Sequence, residues 1–206
     1  MNKKIFGSIC FVLGIAIIIS TGTTFAYFNS SANSDGTISG STLNFAVDLS
    51  LSKEHVSNNM IPITDSLIKT AISGSKKCVD NNGYEVCSLY KITLTNNGDP
   101  FVLNGYIKTN STTYTTGNLK YQIYDTNFNP LSDALTLSLT SGDKIYFSKG
   151  NDILTTSINH NIVEYYLVMW ITETNSLQSA DYSKKYNGVV GFETVSGNKI
   201  ETVFNA

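Results

Sequence analysis

The sequence predicts an all-β protein, a two-sheet antiparallel sandwich, and three observations carry that expectation. Apolar and polar residues alternate strictly in several runs, as in Leu43, Phe45, Val47, Leu49 and Leu51, which is the period of a half-buried strand. Turn chemistry punctuates these runs: Asn82-Gly83, Gly98-Asp99-Pro100 and Asn129-Pro130 each favour a reversal over a continued element. No segment sustains a helical period, and many short strands between turns indicate packed antiparallel sheets.

Taken in chain order, the first element is a leader. Met1-Asn2-Lys3-Lys4 is basic, residues 5–19 are apolar apart from glycines and Ser8, and small residues follow, the three parts of a secretory signal peptide. Thr24 and Ala26 fit the two small-residue positions of a cleavage site, so cleavage between Ala26 and Tyr27 is expected. The alternative is a retained anchor, since residues 5–26 are long enough to cross a bilayer. The chain thus divides into a signal peptide (1–26), a flexible polar arm (27–41) and one β-sandwich domain (42–206). An extracellular location follows, in the matrix or at the cell surface, with membrane contact only through the leader.

Within the domain, strands are expected at 42–51, 89–95, 101–109, 119–124, 135–139, 144–147, 162–171, 188–195 and 199–204. Residues 162–171, Ile-Val-Glu-Tyr-Tyr-Leu-Val-Met-Trp-Ile, are apolar almost throughout, which predicts a central strand covered on both faces. Short helical turns are expected at 65–72 and 178–185.

Cys10 lies in the leader, leaving Cys78 and Cys87 as an even pair in an exported chain, the setting for a structural disulfide. Asn82-Gly83 suits a type I′ hairpin turn. Such a turn would pair Val79 with Val86 and Cys78 with Cys87, at a non-hydrogen-bonded position where Cα atoms approach to about 4.5 Å. A metal pair is the alternative, but zinc wants four ligands.

Chemistry beyond that is sparse. All 14 basic residues are Lys, and no basic stripe with interleaved aromatics suggests nucleic acid. His55 and His160 are the two histidines. Neither belongs to a metalloprotease helix pair, and no nucleophile elbow or phosphate loop is present. His160 and Glu164 would share a face if both lay on one strand, and could then share a metal; a solvated loop His and an edge Glu is the plainer reading. Glu173, Asp181 and the loop 174–179 could coordinate calcium, although regular Asp-x-Asp-x-Asp-Gly spacing is absent. No other cofactor is implied. Tyr165, Tyr166, Tyr182 and Tyr186 could form a sticky face, or serve as core and cross-strand partners.

The segment Phe25-Ala26-Tyr27-Phe28-Asn29-Ser30, followed by Gly40-Ser41-Thr42-Leu43-Asn44-Phe45, resembles the leader and first strand of the TasA/camelysin family. These are secreted Gram-positive matrix proteins processed by a dedicated signal peptidase. Ile61-Pro62-Ile63-Thr64-Asp65 and Tyr90-Lys91-Ile92-Thr93-Leu94-Thr95-Asn96-Asn97-Gly98 resemble the strands that follow, so the likeness covers the first half of the chain. The Cys78–Cys87 hairpin departs from it as an insertion. The family has also been labelled as metalloproteases, and no zinc ligand set is present here to carry that over. The resemblance implies a jelly-roll-like domain that assembles into fibres by donor-strand exchange.

The physics of the arm is compatible with that role. Residues 27–38 are polar and contain Gly36, too poor in apolar groups to hold themselves down. A neighbour's sheet edge could accept them, with Tyr27, Phe28 and Ile38 as apolar anchors. Head-to-tail donation does not close and therefore gives filaments. The expected function is a structural protein of the biofilm matrix that associates with itself or with other matrix proteins. The alternatives are a monomeric cell-surface binding module and, third, a camelysin-type metalloprotease using His55 or His160; the expectation is that the chain is not an enzyme.

Overall fold

The computed structural model describes residues 43–57 and 59–206. Two antiparallel sheets form their framework. The first contains β1 (Val47–His55), β2 (Cys87–Asn96), β4 (Leu119–Tyr124), β5 (Leu135–Thr136) and β10 (Ile162–Ile171), in the order β1-β2-β10-β4-β5. The second contains β3 (Phe101–Thr112), β6 (Lys144–Tyr146), β9 (Thr155–Ile158), β11 (Tyr186–Glu193) and β12 (Lys199–Asn205). Its order is β12-β11-β3-β6, with β9 paired to the first half of β3. A ribbon of β7 (Ser148–Lys149) and β8 (Asp152–Ile153) stands apart. β10 sits between β2 and β4, so the chain crosses repeatedly between sheets, in the interleaved manner of a jelly roll.

The alternation read from the sequence becomes the core. Ile92 and Leu94 of β2, and Leu167 and Met169 of β10, face Ile107 of β3, Val190 and Phe192 of β11, and Phe204 of β12. Gly105 has a packing reason to lack a side chain: a Cβ there would sit 2.4 Å from the Phe147 ring. Tyr121 is a polar intruder in this core. It is fully buried and its hydroxyl has no hydrogen-bond partner among the described residues. A buried hydroxyl without a partner costs about 1–3 kcal/mol, so Tyr121→Phe is expected to leave stability unchanged or raise it by up to about 1 kcal/mol in urea unfolding. A loss above about 1 kcal/mol would mean that the hydroxyl is bonded, for example by a buried water.

β10 is covered on both faces in its second half, as its composition predicts. Val168 and Trp170 point away from the main core into a second, smaller one. A short helix, α1 (Ile68–Ser73), and the cysteine hairpin build that core through Ile68, Ile72, Cys78, Val86 and Cys87. Its anchor is Asp65, in the 3-10 turn Asp65–Leu67 that leads into α1. Asp65 accepts hydrogen bonds from Lys120 Nζ (2.6 Å), Trp170 Nε1 (2.8 Å) and Thr172 Oγ1 (2.6 Å).

Several expectations are corrected in detail. The first strand runs Val47–His55 and not 42–51, because Asn44 and Ala46 bond to the 96–99 turn. Asn44 N donates to Asp99 Oδ2 at 2.7 Å, and Asn97 N donates to Ala46 O at 2.9 Å. The helical reading of 178–185 shrinks to the 3-10 turn Ser179–Asp181. Tyr182 is extended, Ser183 is left-handed at φ 56°, and Lys185 N donates to Thr113 Oγ1, which draws the chain into β11. The strand expected at 135–139 keeps ladder pairing only at Leu135–Thr136.

Candidate functional site

The disulfide is formed and wholly buried: Cys78 and Cys87 lie 4.9 Å apart at Cα and neither is exposed. The turn that presents it differs from the expected one by a single register step. Val79 pairs with Glu85 and not with Val86. The cause is the Asp80 carboxylate, which accepts from Asn82 N (2.9 Å) and Tyr84 N (2.8 Å), while Gly83 N donates to Asp80 O. Three residues then form the loop, with Gly83 left-handed at φ 89°, the geometry of a type I turn closed by a glycine bulge. The cysteines are therefore offset in register, and Cys78 adopts φ 58°. The loop it closes is short, and loop-closure entropy assigns it about 3 kcal/mol. Cys78→Ser with Cys87→Ser is expected to cost about that much in urea unfolding, without loss of the main sheets by far-UV circular dichroism.

The leader and arm positions Thr24, Ala26, Tyr27, Phe28 and Ile38 lie outside the described residues. Among the described residues no helix is long and apolar enough to cross a membrane.

The structure does not bring the candidate ligands together. His160 sits in a turn at φ 49°, bonded to Asn159, while Glu164 pairs with Lys91 at 2.7 Å. Glu173 accepts from Thr64 Oγ1, and the buried Asp181 accepts from Thr116 Oγ1 and, at 2.8 Å, from Asn118 Nδ2. Asp181 thus ties a turn to the β3–β4 connection. Among the described residues no group of three or more His, Cys, Asp and Glu side chains is placed to hold a metal. His55 lies 3.7 Å from Glu85, whose other oxygen accepts from Ser57 Oγ at 2.7 Å. The carboxylate stands between the Ser and the His, an order that cannot deprotonate the hydroxyl through the imidazole.

The tyrosines divide. Tyr186 is buried and bonded to Thr109, and burial pushes its hydroxyl up to about 12. Tyr166 stacks on Phe128 at 4.8 Å. Tyr165 bonds Thr156, whereas Tyr182 is exposed.

Two features distinguish the surface. The first is a difference between the flanks of the sandwich. On one flank the edges are short: β5 has two residues and β6 three. The β7–β8 ribbon is tied to the β5 side by Asp133 N donating to Ser148 O (2.8 Å) and Gly150 N donating to Asp133 Oδ2 (2.6 Å). On the other flank, β1 and β12 are neighbouring edges of nine and seven residues. Tyr186 and Ala206 exchange both main-chain bonds, so by alternation the N–H and C=O groups of Lys199, Glu201 and Val203 point away from β11. Among the described residues they have no main-chain partner. Long bare edges of this kind are what soluble sheets ordinarily shield.

The outer face of the second sheet stiffens this edge. Glu201 accepts from Tyr106 Oη (2.7 Å) and Lys108 Nζ (2.9 Å), and Glu193 accepts from Lys144 Nζ (2.8 Å) and Tyr146 Oη. The bonds from Tyr106 and Lys108 hold the Glu201 carboxyl below its ordinary range. Burial pushes Glu193 up, but Lys144 and Tyr146 outweigh it and leave it low. Carboxyls lowered by folding contribute stability above the unfolded value near 4.3. That contribution disappears as pH falls through the lower folded values. The melting temperature is therefore expected to fall below about pH 4.5, and more shallowly in the Glu193→Gln, Glu201→Gln double variant.

The second feature is a cleft of about 830 Å³ at the end of the sandwich where β1 finishes and β11 begins. Val56, Met60, Ile171 and Tyr114 give it apolar walls, and Lys53, Lys184 and Lys185 stand among the residues around it. It shares Met60, Ile171 and Asp181 with an adjoining depression of about 390 Å³ that includes Ile61, Pro62 and Tyr182. No local sequence pattern encodes the cleft or the unpaired edge, because both depend on strand order.

Fold and site together define a disulfide-stapled antiparallel β-sandwich with, among the described residues, an unpaired flank and an end cleft. No family model matches the chain, and no curated protein does. Among solved structures, a sugar phosphate isomerase of the cupin superfamily from Silicibacter pomeroyi aligns with 12% identity over 59% of this chain and 69% of that one. The TM-score of 0.14 gives this likeness no weight for fold or activity.

Proposed function

We propose that this chain is a secreted structural protein of the extracellular biofilm matrix, a fibre subunit that assembles by donating its N-terminal strand to the next copy. The observation that carries this reading is the bare flank: seven residues of β12 beside nine of β1, with main-chain groups aimed outward. A donated strand satisfies those groups by β-augmentation. The arm, residues 27–41, precedes every described strand, so giving it away leaves the pairing among the described strands as it is. The leader, the disulfide and the resemblance around residues 25–45 support the extracellular part. Association is with other copies or other matrix proteins, with no role for nucleic acid and no membrane contact after cleavage.

Sedimentation of the chain beginning at Tyr27, compared with the same chain lacking residues 27–37, tests this. The longer form is expected to pellet as polymer and the shorter to stay monomeric with unchanged far-UV circular dichroism. Polymer from the shorter form would sink the proposal. A monomeric cell-surface binding module is the second reading, and the end cleft is what favours it.

A further inference from the structure

We infer that the end cleft binds an acidic polysaccharide, a chain of carboxylate-bearing sugars, through Lys53, Lys184 and Lys185. The chain carries a net charge of −2, yet three lysines gather at this opening. Among the described residues none of the three has an ion-pair partner within 4 Å, a state they share with Lys69, Lys76, Lys77 and Lys149, but they alone of these seven stand around one cleft. The acids nearby already accept hydrogen bonds: Asp181 from Thr116 and Asn118, and Glu85 from Ser57. Among the side chains that line the opening, three lysines stand against one carboxylate, Asp181.

Shape and chemistry narrow the ligand. Cleft and adjoining depression share Met60, Ile171 and Asp181 in their walls, so they lie side by side and together have room for more than one sugar unit. Hydroxyls of Ser111, Thr113 and Ser183 and the rings of Tyr114 and Tyr182 line them. Such a mix of polar groups and apolar surface matches the two faces of a sugar ring. Lysine, a strongly hydrated point charge, suits carboxylates spaced along a polymer and does not need the bidentate geometry of arginine.

The test is fluorescence anisotropy with labelled oligogalacturonate added to the chain beginning at Tyr27, at a protein concentration where it is monomeric, and to the Val203→Pro chain. Using a second, independently monomeric form separates this inference from the fibre reading. Binding is expected in both and should weaken steeply between 50 mM and 500 mM salt. It should fall by about 30-fold in the Lys53→Gln, Lys184→Gln, Lys185→Gln variant, at roughly 0.7 kcal/mol for each exposed charge. A neutral malto-oligosaccharide should not compete, and polyphosphate of matched charge should compete weakly. The inference is overturned by absence of binding at millimolar ligand, by equal binding of the triple variant, by equal binding of the neutral sugar, or by polyphosphate competing as well as the uronate.

Discussion

Asp65→Ala is expected to cost about 2–3 kcal/mol, a large effect for a partly exposed side chain. Three donors converge on this carboxylate: Lys120, Trp170 and Thr172. Burial pushes the carboxyl up, yet the bonds from those three donors outweigh it and leave it below the usual aspartate range. Truncation leaves the Trp170 indole N–H without a partner in a fully buried side chain and removes the three side-chain bonds that tie the 3-10 turn to Lys120, Trp170 and Thr172. The carboxylate is partly open to water at 37% exposure, which keeps the effect below that of a fully buried pair. Asp65→Asn keeps an acceptor for the indole and should cost about 1 kcal/mol. Trp170 is the single tryptophan, so its fluorescence in urea reports both global unfolding and any early loosening of this corner. A loss under about 0.5 kcal/mol for Asp65→Ala would show that the helix is held by apolar contact alone.

Val203→Pro is expected to abolish polymer formation while lowering the melting temperature by no more than a few degrees. The Val203 N–H points away from β11, so the ladder that holds β12 loses nothing when it is removed. Proline is tolerated on an edge strand when its missing N–H faces outward, and Val203 is 59% exposed, so little packing is lost. The outward pairing edge is interrupted at its middle, the natural way to block strand addition. Val203→Thr is the matched control and should polymerise normally.

The strands could be read because their periodicity is local. The strand expected at residues 162–171 has those bounds, and its apolarity implies cover on both faces, which the second half has; that α1 and the cysteine hairpin supply the cover is not written in the strand itself. The disulfide was legible from two cysteines flanking a turn motif. Its register was not, because the sequence offers Asn82-Gly83 as a two-residue turn while the Asp80 carboxylate captures two amides and lengthens the loop. The region 178–185 has helical composition, but Asp181 is held by Thr116 and Asn118, and the pull of β11 on Lys185 wins. Contacts that set the candidate site span the chain: Asp65 meets Trp170 across 105 positions, and the end cleft draws residues from 53 to 206. Which strands become edges is decided by strand order, and no local pattern encodes it.

Mixing two assembly-defective chains tests donation in trans most directly. One is the chain lacking residues 27–37, which keeps its acceptor edge and has no arm to give. The other begins at Tyr27 and carries Val203→Pro, so it has an arm and a blocked edge. Each alone should run as a monomer in analytical ultracentrifugation, and the mixture should yield a 1:1 heterodimer that grows no further. Two unchanged monomers in the mixture, or filaments from either chain alone, would contradict assembly by a donated N-terminal strand.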